Sequence, residues 1–437
     1  MARGYNRLPL AAALLAAASS ANAGISIPAG DWTLDIGGIV NAYYTSTRAT
    51  GTSTGLGLAN STGTRTASNI TTGLLPNYLI VSGKTRQNDL DVAFTISIQP
   101  GASTTAAGGN GTMNQRQAFL TFGDASWGSF KLGKDLGIYA SDAILNDMTL
   151  LGVGSNAGQA GGNTTLGRIG TGYVYADWKS QVAYTTPNFN GFSATAGVTQ
   201  AWNATGDNAT SARGGASPAF EGKASYAWTG DVAGKVWVSG ITQKIDGINA
   251  ADAVLAGTGY TLSHISGAIT AIPASAAVAG TSQTATAVDI GANVNVAGFG
   301  LTGYYNQGRG MGTTTQFSNG LDLAGNKRDS DDWYVQATYV LPTATKLGVS
   351  YGESNLDGNA GDTFSKKTNE MWVVGAYHPL TKHLNLVAEF SETTGSSDNR
   401  ATAATPATVA AAAVAAQAAG HVEGRTQTIS LGAILFF

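Results

Sequence analysis

Along most of this chain, apolar side chains return at every second position with polar ones between them. Trp32, Leu34, Ile36, Val40, Ala42 and Tyr44 share one parity, and Thr33, Asp35, Asn41 and Tyr43 share the other. Leu90, Val92, Phe94, Ile96 and Ile98 alternate with Asp91, Thr95, Ser97 and Gln99; Phe192, Ala194, Ala196 and Val198 repeat the pattern. So do Trp333, Val335, Ala337 and Tyr339 against Gln336 and Thr338, and Leu384, Leu386, Ala388 and Phe390 against Asn385 and Glu389. A period of two puts successive side chains on opposite faces of a β-strand, so each segment reads as a strand with one apolar face. Strands are expected at about 32–48, 75–86, 89–99, 115–122, 128–134, 179–186, 192–200 and 220–228. Eight more are expected at about 235–243, 287–296, 299–307, 333–341, 346–352, 371–378, 384–391 and 426–437, sixteen in all.

The connections sort into two kinds. Seven are short and carry turn chemistry, among them Gln87-Asn88, Ala297-Gly298, Pro187-Asn-Phe-Asn-Gly191 and Pro379-Leu-Thr-Lys-His383. The eight that alternate with them, from 49–74 to 392–425, are far longer than a hairpin requires. A soluble sandwich also alternates, but its connections do not sort this way. Short turns at one end and long loops at the other describe an all-β transmembrane barrel of sixteen antiparallel strands in up-and-down order. Both chain ends and the short turns would face the periplasm. In hydrocarbon an open sheet edge leaves backbone groups unpaired at several kcal/mol each, so the ring is expected to close. At this strand number the interior is too wide for wall side chains to fill and is expected to hold water.

Export is written at the start. Arg3 and Arg7 precede the apolar run Leu8 to Ala18, and Ala21-Asn22-Ala23 offers small residues for cleavage before Gly24. Residues 1–23 therefore read as a secretory signal peptide and 24–437 as the barrel domain. Cleavage removes two of the 24 basic residues and none of the 27 acidic ones, taking the formal net charge from -3 to -5, which argues against nucleic acid as a partner. No later segment approaches the roughly 20 apolar residues of a membrane helix. Cys is absent, which removes disulfides and thiolate metal sites, and charged residues are only 12% of the chain.

Ile429, Leu431, Ala433 and Leu435 form one face of the last strand, which ends in Phe437. This resembles the closing strand of bacterial outer-membrane proteins, and the resemblance implies that the barrel-insertion machinery reads Phe437. The stretch Gly128-Ser-Phe-Lys-Leu-Gly-Lys-Asp-Leu-Gly-Ile-Tyr139, with Asn146-Asp-Met-Thr-Leu150, Leu166-Gly-Arg-Ile-Gly170 and Gln181-Val-Ala-Tyr-Thr-Thr-Pro-Asn-Phe-Asn-Gly-Phe192, resembles the trimeric general diffusion porins of Gram-negative bacteria. It is most similar to their proteobacterial "Gram-negative type" branch.

That resemblance implies an outer-membrane location, a homotrimer among lipid and lipopolysaccharide, and passage of ions and small hydrophilic solutes without a cofactor. It also implies a third external loop, here about 135–178, folded into the barrel. On the family pattern Asp147 matches an acidic eyelet residue on that loop, and Arg116 and Arg168 match wall arginines. Two further basic wall positions are missing, being occupied by Gly38 and by the Asn77-Tyr78 region, and the second loop carboxylate is absent from Thr149-Leu-Leu-Gly-Val-Gly154. A weaker eyelet field follows: across about 8 Å of water one opposite-charge pair interacts by only about 0.5 kcal/mol. Lys84, Arg86 and Lys131 on strands and Asp142 on the loop are further lumen candidates, with solvated strand-end charges as the alternative.

Trp32, Trp127, Trp333, Tyr339 and Tyr377 lie near expected strand ends and read as an interfacial aromatic girdle, or as packing between subunits. Catalytic and metal signals are poor. Gly51-Thr-Ser-Thr-Gly55 matches a nucleophile elbow and Gly152-Val-Gly154-Ser-Asn-Ala157 approaches a dinucleotide fingerprint, but neither has the strand and helix context the chemistry needs. His264, His378, His383 and His421 lack metal-ligand spacing. Lys327-Arg-Asp-Ser-Asp-Asp332 reads as a charged loop, with calcium or lipopolysaccharide binding as the alternative. The Ala-rich stretches 250–287 and 401–419 fall in external loops, the second with helical propensity. Taken together the sequence reads as a passive channel and not an enzyme; a solute-selective porin and a plugged barrel serving as a surface adhesin or receptor are the alternatives.

Overall fold

A computed structural model of the chain describes residues 24–51, 66–102, 113–156, 163–206, 213–214, 217–248, 260–262, 269–271, 280–401 and 418–437. The signal segment, the elbow-like 52–55, His264 and most of the Ala-rich stretches lie outside these residues. Sixteen wall strands follow one another: β1 (Trp32–Gly51), β2 (Tyr78–Gln87), β3 (Leu90–Pro100), β4 (Met113–Asp124), β5 (Gly128–Leu136) and β6 (Trp178–Thr185). The next are β7 (Phe192–Thr199), β8 (Ala219–Trp228), β9 (Val232–Ile248), β10 (Thr281–Val296) and β11 (Phe299–Arg309). The last are β12 (Asp329–Val340), β13 (Lys346–Asp357), β14 (Phe364–Pro379), β15 (Leu384–Asn399) and β16 (Gly420–Phe436). Each pairs antiparallel with the next, and β16 returns to β1 from Ile39 opposite Phe436 to Gly51 opposite Gly424, so the ring is closed.

The alternation sorts side chains as expected. Val40, Ile96, Val182, Ile290, Leu301, Val349 and Leu431 point outward and are exposed. Asn41, Thr45, Ser97, Gln181, Gln243, Asn306, Ser350 and Thr428 hold the opposite parity and are buried inside. A soluble protein would not present so continuous an apolar belt, whereas a lipid-facing wall requires one.

The wall departs from the expected strands in several places, and β9, β13, β14, β15 and β16 run past their expected bounds toward the long loops. Ile25–Ala29 forms an additional strand against Trp32–Ile36, continuing the edge of β1 beyond the end of β16. The expected strand 75–86 begins only at Tyr78, whose run to Lys84 pairs with Ile39 to Thr33, while Thr66–Thr71, within the expected long loop 49–74, pairs with Arg48–Tyr43 and 72–77 dips inward between the two. Asn41 bridges this gap, its Nδ2 donating to the Leu75 carbonyl (2.9 Å), its Oδ1 accepting from the Gly73 N–H (2.9 Å), and its own N–H donating to Asn77 Oδ1 (2.6 Å). Side-chain amides thus stand in for missing ladder bonds. β10 begins at Thr281 rather than 287, which takes the end of the first Ala-rich stretch into the wall.

The interior differs more. Besides the connection after β5, the connection after β11 (310–328) folds into the barrel, where Met311, Phe317 and Leu321 are buried with Tyr139, Val174, Ile241 and Ile245. It was expected outside. Its charged end is not a plain loop either: Arg328 is buried, its Nε donating to Asp362 (2.8 Å), and Asp329 to Asp332 belong to β12. Tyr377 is not a girdle residue. Its ring has lumen parity on β14, is buried, and its hydroxyl donates to Glu389 (2.6 Å).

The seam where the ring closes is tight. Gly38 N–H donates to the Phe437 carbonyl (2.7 Å) and Phe437 N–H to the Gly38 carbonyl (3.0 Å). A Cβ at Gly38 would stand 2.4 Å from the Tyr78 carbonyl oxygen and 2.5 Å from the Phe437 ring, so the seam leaves no room for a side chain there. Gly38→Val is therefore expected to destabilise the folded barrel by about 1–3 kcal/mol. The check is the temperature at which the heat-resistant folded band disappears in mild detergent electrophoresis; an unchanged temperature contradicts this account of the seam.

Candidate functional site

The connection after β5 enters the barrel because wall groups take up its backbone. Ile138 and Tyr139 N–H both donate to Glu221 Oε2 on β8 (2.8 and 2.9 Å), and Ala140 N–H donates to Ser239 Oγ on β9 (3.0 Å). Ala140 adopts a left-handed conformation (φ 59°), which turns the chain into a short helix, α1 (Ser141–Asn146). A 3-10 turn (Met148–Leu151) follows, with Met148 N–H on Gln336 of β12 (2.7 Å). Val153 and Gly154 N–H then donate to Glu389 Oε2 on β15 (2.7 and 2.9 Å), and Asn156 reaches Thr45 and Thr47 on β1. Returning, Thr165 N–H meets the Gly73 carbonyl (3.1 Å), Leu74 N–H meets the Gly152 carbonyl (2.8 Å), and Gly172 N–H meets Ser354 of β13 (3.0 Å). Tyr175 N–H donates to Thr314 in the second inward loop (2.9 Å), so the two loops are joined.

The residues singled out from the sequence fall into two groups. Asp147 caps the 3-10 turn, accepting from Thr149 N–H (2.9 Å), Thr149 Oγ1 (2.7 Å) and the Tyr173 hydroxyl (2.9 Å), and is buried. Arg168 is fully buried against β13 and β14, donating to the carbonyls of Thr171 (3.2 Å) and Met371 (3.0 Å), with its guanidinium 5.9 Å from the Tyr334 ring centre. Arg116 lies on β4, donating to Asn163 (2.9 Å) and the Tyr175 hydroxyl (3.4 Å). By parity it should face lipid with Ala118 and Leu120. A β-bulge, with Ser97 opposite Gln117 but Gln99 opposite Asn114, turns it inward beside Gln117. Asp147 and Arg168 thus share the Tyr173–Tyr334 cluster, whereas Arg116 is held through Asn163 and Tyr175.

The second group is held in ion pairs. Asp142, at the start of α1, is paired by Lys223 of β8 (2.9 Å) and by Lys235 of β9. Burial alone would push its carboxyl up, but the two ammonium groups hold it below the usual carboxylate range. Lys131 pairs with Asp135 on the same strand, and Lys84 with Asp35 across β1 and β2 (3.3 Å). Arg86 sits at the short-turn rim between Asp91 and Asp124 (2.9 Å each). Lys346 on β13 lies 4.9 Å from the Tyr377 ring centre.

Lys223, Lys235, Lys346, Glu221 and Glu389 matter to this arrangement and were not among the sequence candidates. The signal was available: each is a charged residue at a polar-parity position inside an alternating strand, where a charge must face the lumen.

A closed ring carrying a lipid-facing belt and an inward loop stitched to its wall defines a transmembrane channel scaffold. The chain belongs to the Gram-negative porin family, whose model matches residues 10–398, and it is an outer-membrane porin. Among solved structures it is similar to the anion-selective porin from Comamonas acidovorans (16% identity, 93% of this chain and 100% of that one, TM-score 0.58). It is also similar to the outer-membrane channel DcaP of Acinetobacter baumannii (14% identity, 94% and 99%, TM-score 0.58). A third is OmpF of Salmonella typhi in complex with daunomycin (14% identity, 94% and 100%, TM-score 0.54). No curated protein matches the chain.

Glu389→Ala removes the acceptor of two loop amides. Hydrogen bonds to a charged partner contribute about 1.5–3 kcal/mol each, so exchange of the Val153 and Gly154 amides should quicken by on the order of tenfold or more while the β15 ladder stays protected. Hydrogen exchange with fragment resolution reads this; unchanged protection at 153–154 removes Glu389 as the anchor.

Proposed function

We propose that the protein is a passive diffusion channel for ions and small hydrophilic solutes, and not an enzyme. The observation that carries this reading is the division of the interior. Toward the short turns, lumen-parity side chains such as Asp35, Lys84, Asp91, Lys131, Ser225 and Asn295 remain open to water. Deeper, the loop after β5 narrows the bore. Asp142 with Lys223 and Lys235 forms the charged rim of that narrowing, while Asp147, Arg116 and Arg168 hold the loop in place from within its packed side. Opposed charges at a constriction orient water and polar solutes, giving a filter rather than a tight site.

The signal segment 1–23 would be removed before Gly24, the last strand with Phe437 would be recognised by the insertion machinery, and three copies would assemble among lipid and lipopolysaccharide, as the family membership suggests. A solute-selective channel is the second reading, and the inward fold of 310–328 favours it by narrowing the bore further.

In planar bilayers the purified protein is expected to give discrete ohmic steps, and liposomes carrying it should swell in small sugars but not in large oligosaccharides. Absence of steps overturns the channel reading. Current blocked saturably by one solute class selects the second reading, and a cross-linked species other than a trimer removes the assembly.

A further inference from the structure

In the lumen ion pairs made by Asp135 and Asp142 the cation is the partner nearer the water, whereas Lys179–Glu221 is wholly buried and Arg328 lies slightly deeper than Asp362. The Lys131 side chain is 23% exposed against 5% for Asp135, and Lys235 and Lys223 are 18% and 8% exposed against 3% for the Asp142 they share. At the short-turn end Lys84 is 63% exposed against 35% for Asp35, and Arg86 is more exposed than Asp91 or Asp124. Lys346 is half-buried and makes no ion pair among the described residues. The other wall and loop carboxylates at this level are set back: Asp147, Asp289 and Glu389 are buried and accept hydrogen bonds from Thr149, Tyr173, Ser239, Tyr304, Tyr377 and the Val153 and Gly154 amides.

Counting charges by sign therefore misleads, because what a permeating solute meets is the charge that reaches water. A recessed carboxylate already surrounded by donors offers little to a passing cation. An ammonium group at the water boundary keeps free N–H donors for an anion, and a ring of lysines is one of the ways a pore selects anions.

Resting on the channel reading above, we infer that the constriction is anion-preferring and that Lys235 and Lys346, with Lys223 behind Asp142, form a station for small oxyanions of the carboxylate and phosphate class. Asp142 holds the lysine pair in place and tempers its field, so anions are favoured without being trapped.

The test is the reversal potential of single channels in a potassium chloride gradient, for the native protein and for the Lys235→Gln, Lys346→Gln double variant, followed by chloride current with added inorganic phosphate. The native channel should pass chloride in preference to potassium and be slowed by phosphate. The variant should keep its ohmic steps, which shows that it has folded, while the chloride preference falls several-fold and the phosphate effect weakens. Steps with a potassium preference, or a preference unchanged in the variant, overturn this inference and leave the channel intact. Absence of steps in the native protein overturns both.

Discussion

Hydrogen bonding of the backbone in a medium that offers no partners is the constraint from which the rest of this molecule follows. Each strand must find a neighbour on both sides, and the only arrangement of alternating strands that achieves this in lipid is a closed ring. The details show how strictly the requirement is met. Ile25–Ala29 covers the stretch of β1 that β16 does not reach, and Gly38 exchanges backbone bonds with Phe437 at the junction. Where the second strand breaks, the Asn41 and Asn77 side chains carry the bonds across.

Closure fixes the inside as firmly as the outside. A polar inner face needs water or polar chain, and here two loops supply chain at one end while the other end is left to water. The loop after β5 is not merely laid in the bore. Glu221 and Glu389, on opposite parts of the wall, each accept two consecutive loop amides, so the loop is pinned at its entry and again at its middle. Engaging carboxylates in this way also withdraws negative charge from the water path. On the inference drawn above, anchoring and selectivity would be two results of one placement of acids and bases.

Much of this was legible in the alternation alone. The strand number, the antiparallel order, the outward face and the ring's closing strand all follow from period-two patterning and from the two kinds of connection. What escaped had physical reasons. Arg116 lies at an outward parity and is turned inward only by a bulge, which depends on the register of a neighbouring strand. The expected strand took in 75–77 because Leu75 and Tyr78 are apolar, yet Leu74, Leu75 and Tyr78 pack on the inward loop. The inward course of 310–328 rests on contacts with β9, β10 and the other loop, none of which a local pattern records. Glu221, Glu389, Lys235 and Lys346 were visible as lumen-facing charges, but their division into loop anchors and water-facing cations needed three-dimensional neighbours.

The central claim is that a water-filled bore lies behind a lipid-facing wall, and the absence of native cysteine permits a direct measurement of it. Single substitutions Lys235→Cys, Val236→Cys, Lys346→Cys and Leu347→Cys sample both parities on two strands, and the protein is then reconstituted in liposomes and treated with a charged, lipid-insoluble thiol reagent. Modification at 235 and 346 with protection at 236 and 347 is the predicted result. Protection at 235 and 346, or equal reaction at both parities, would contradict it.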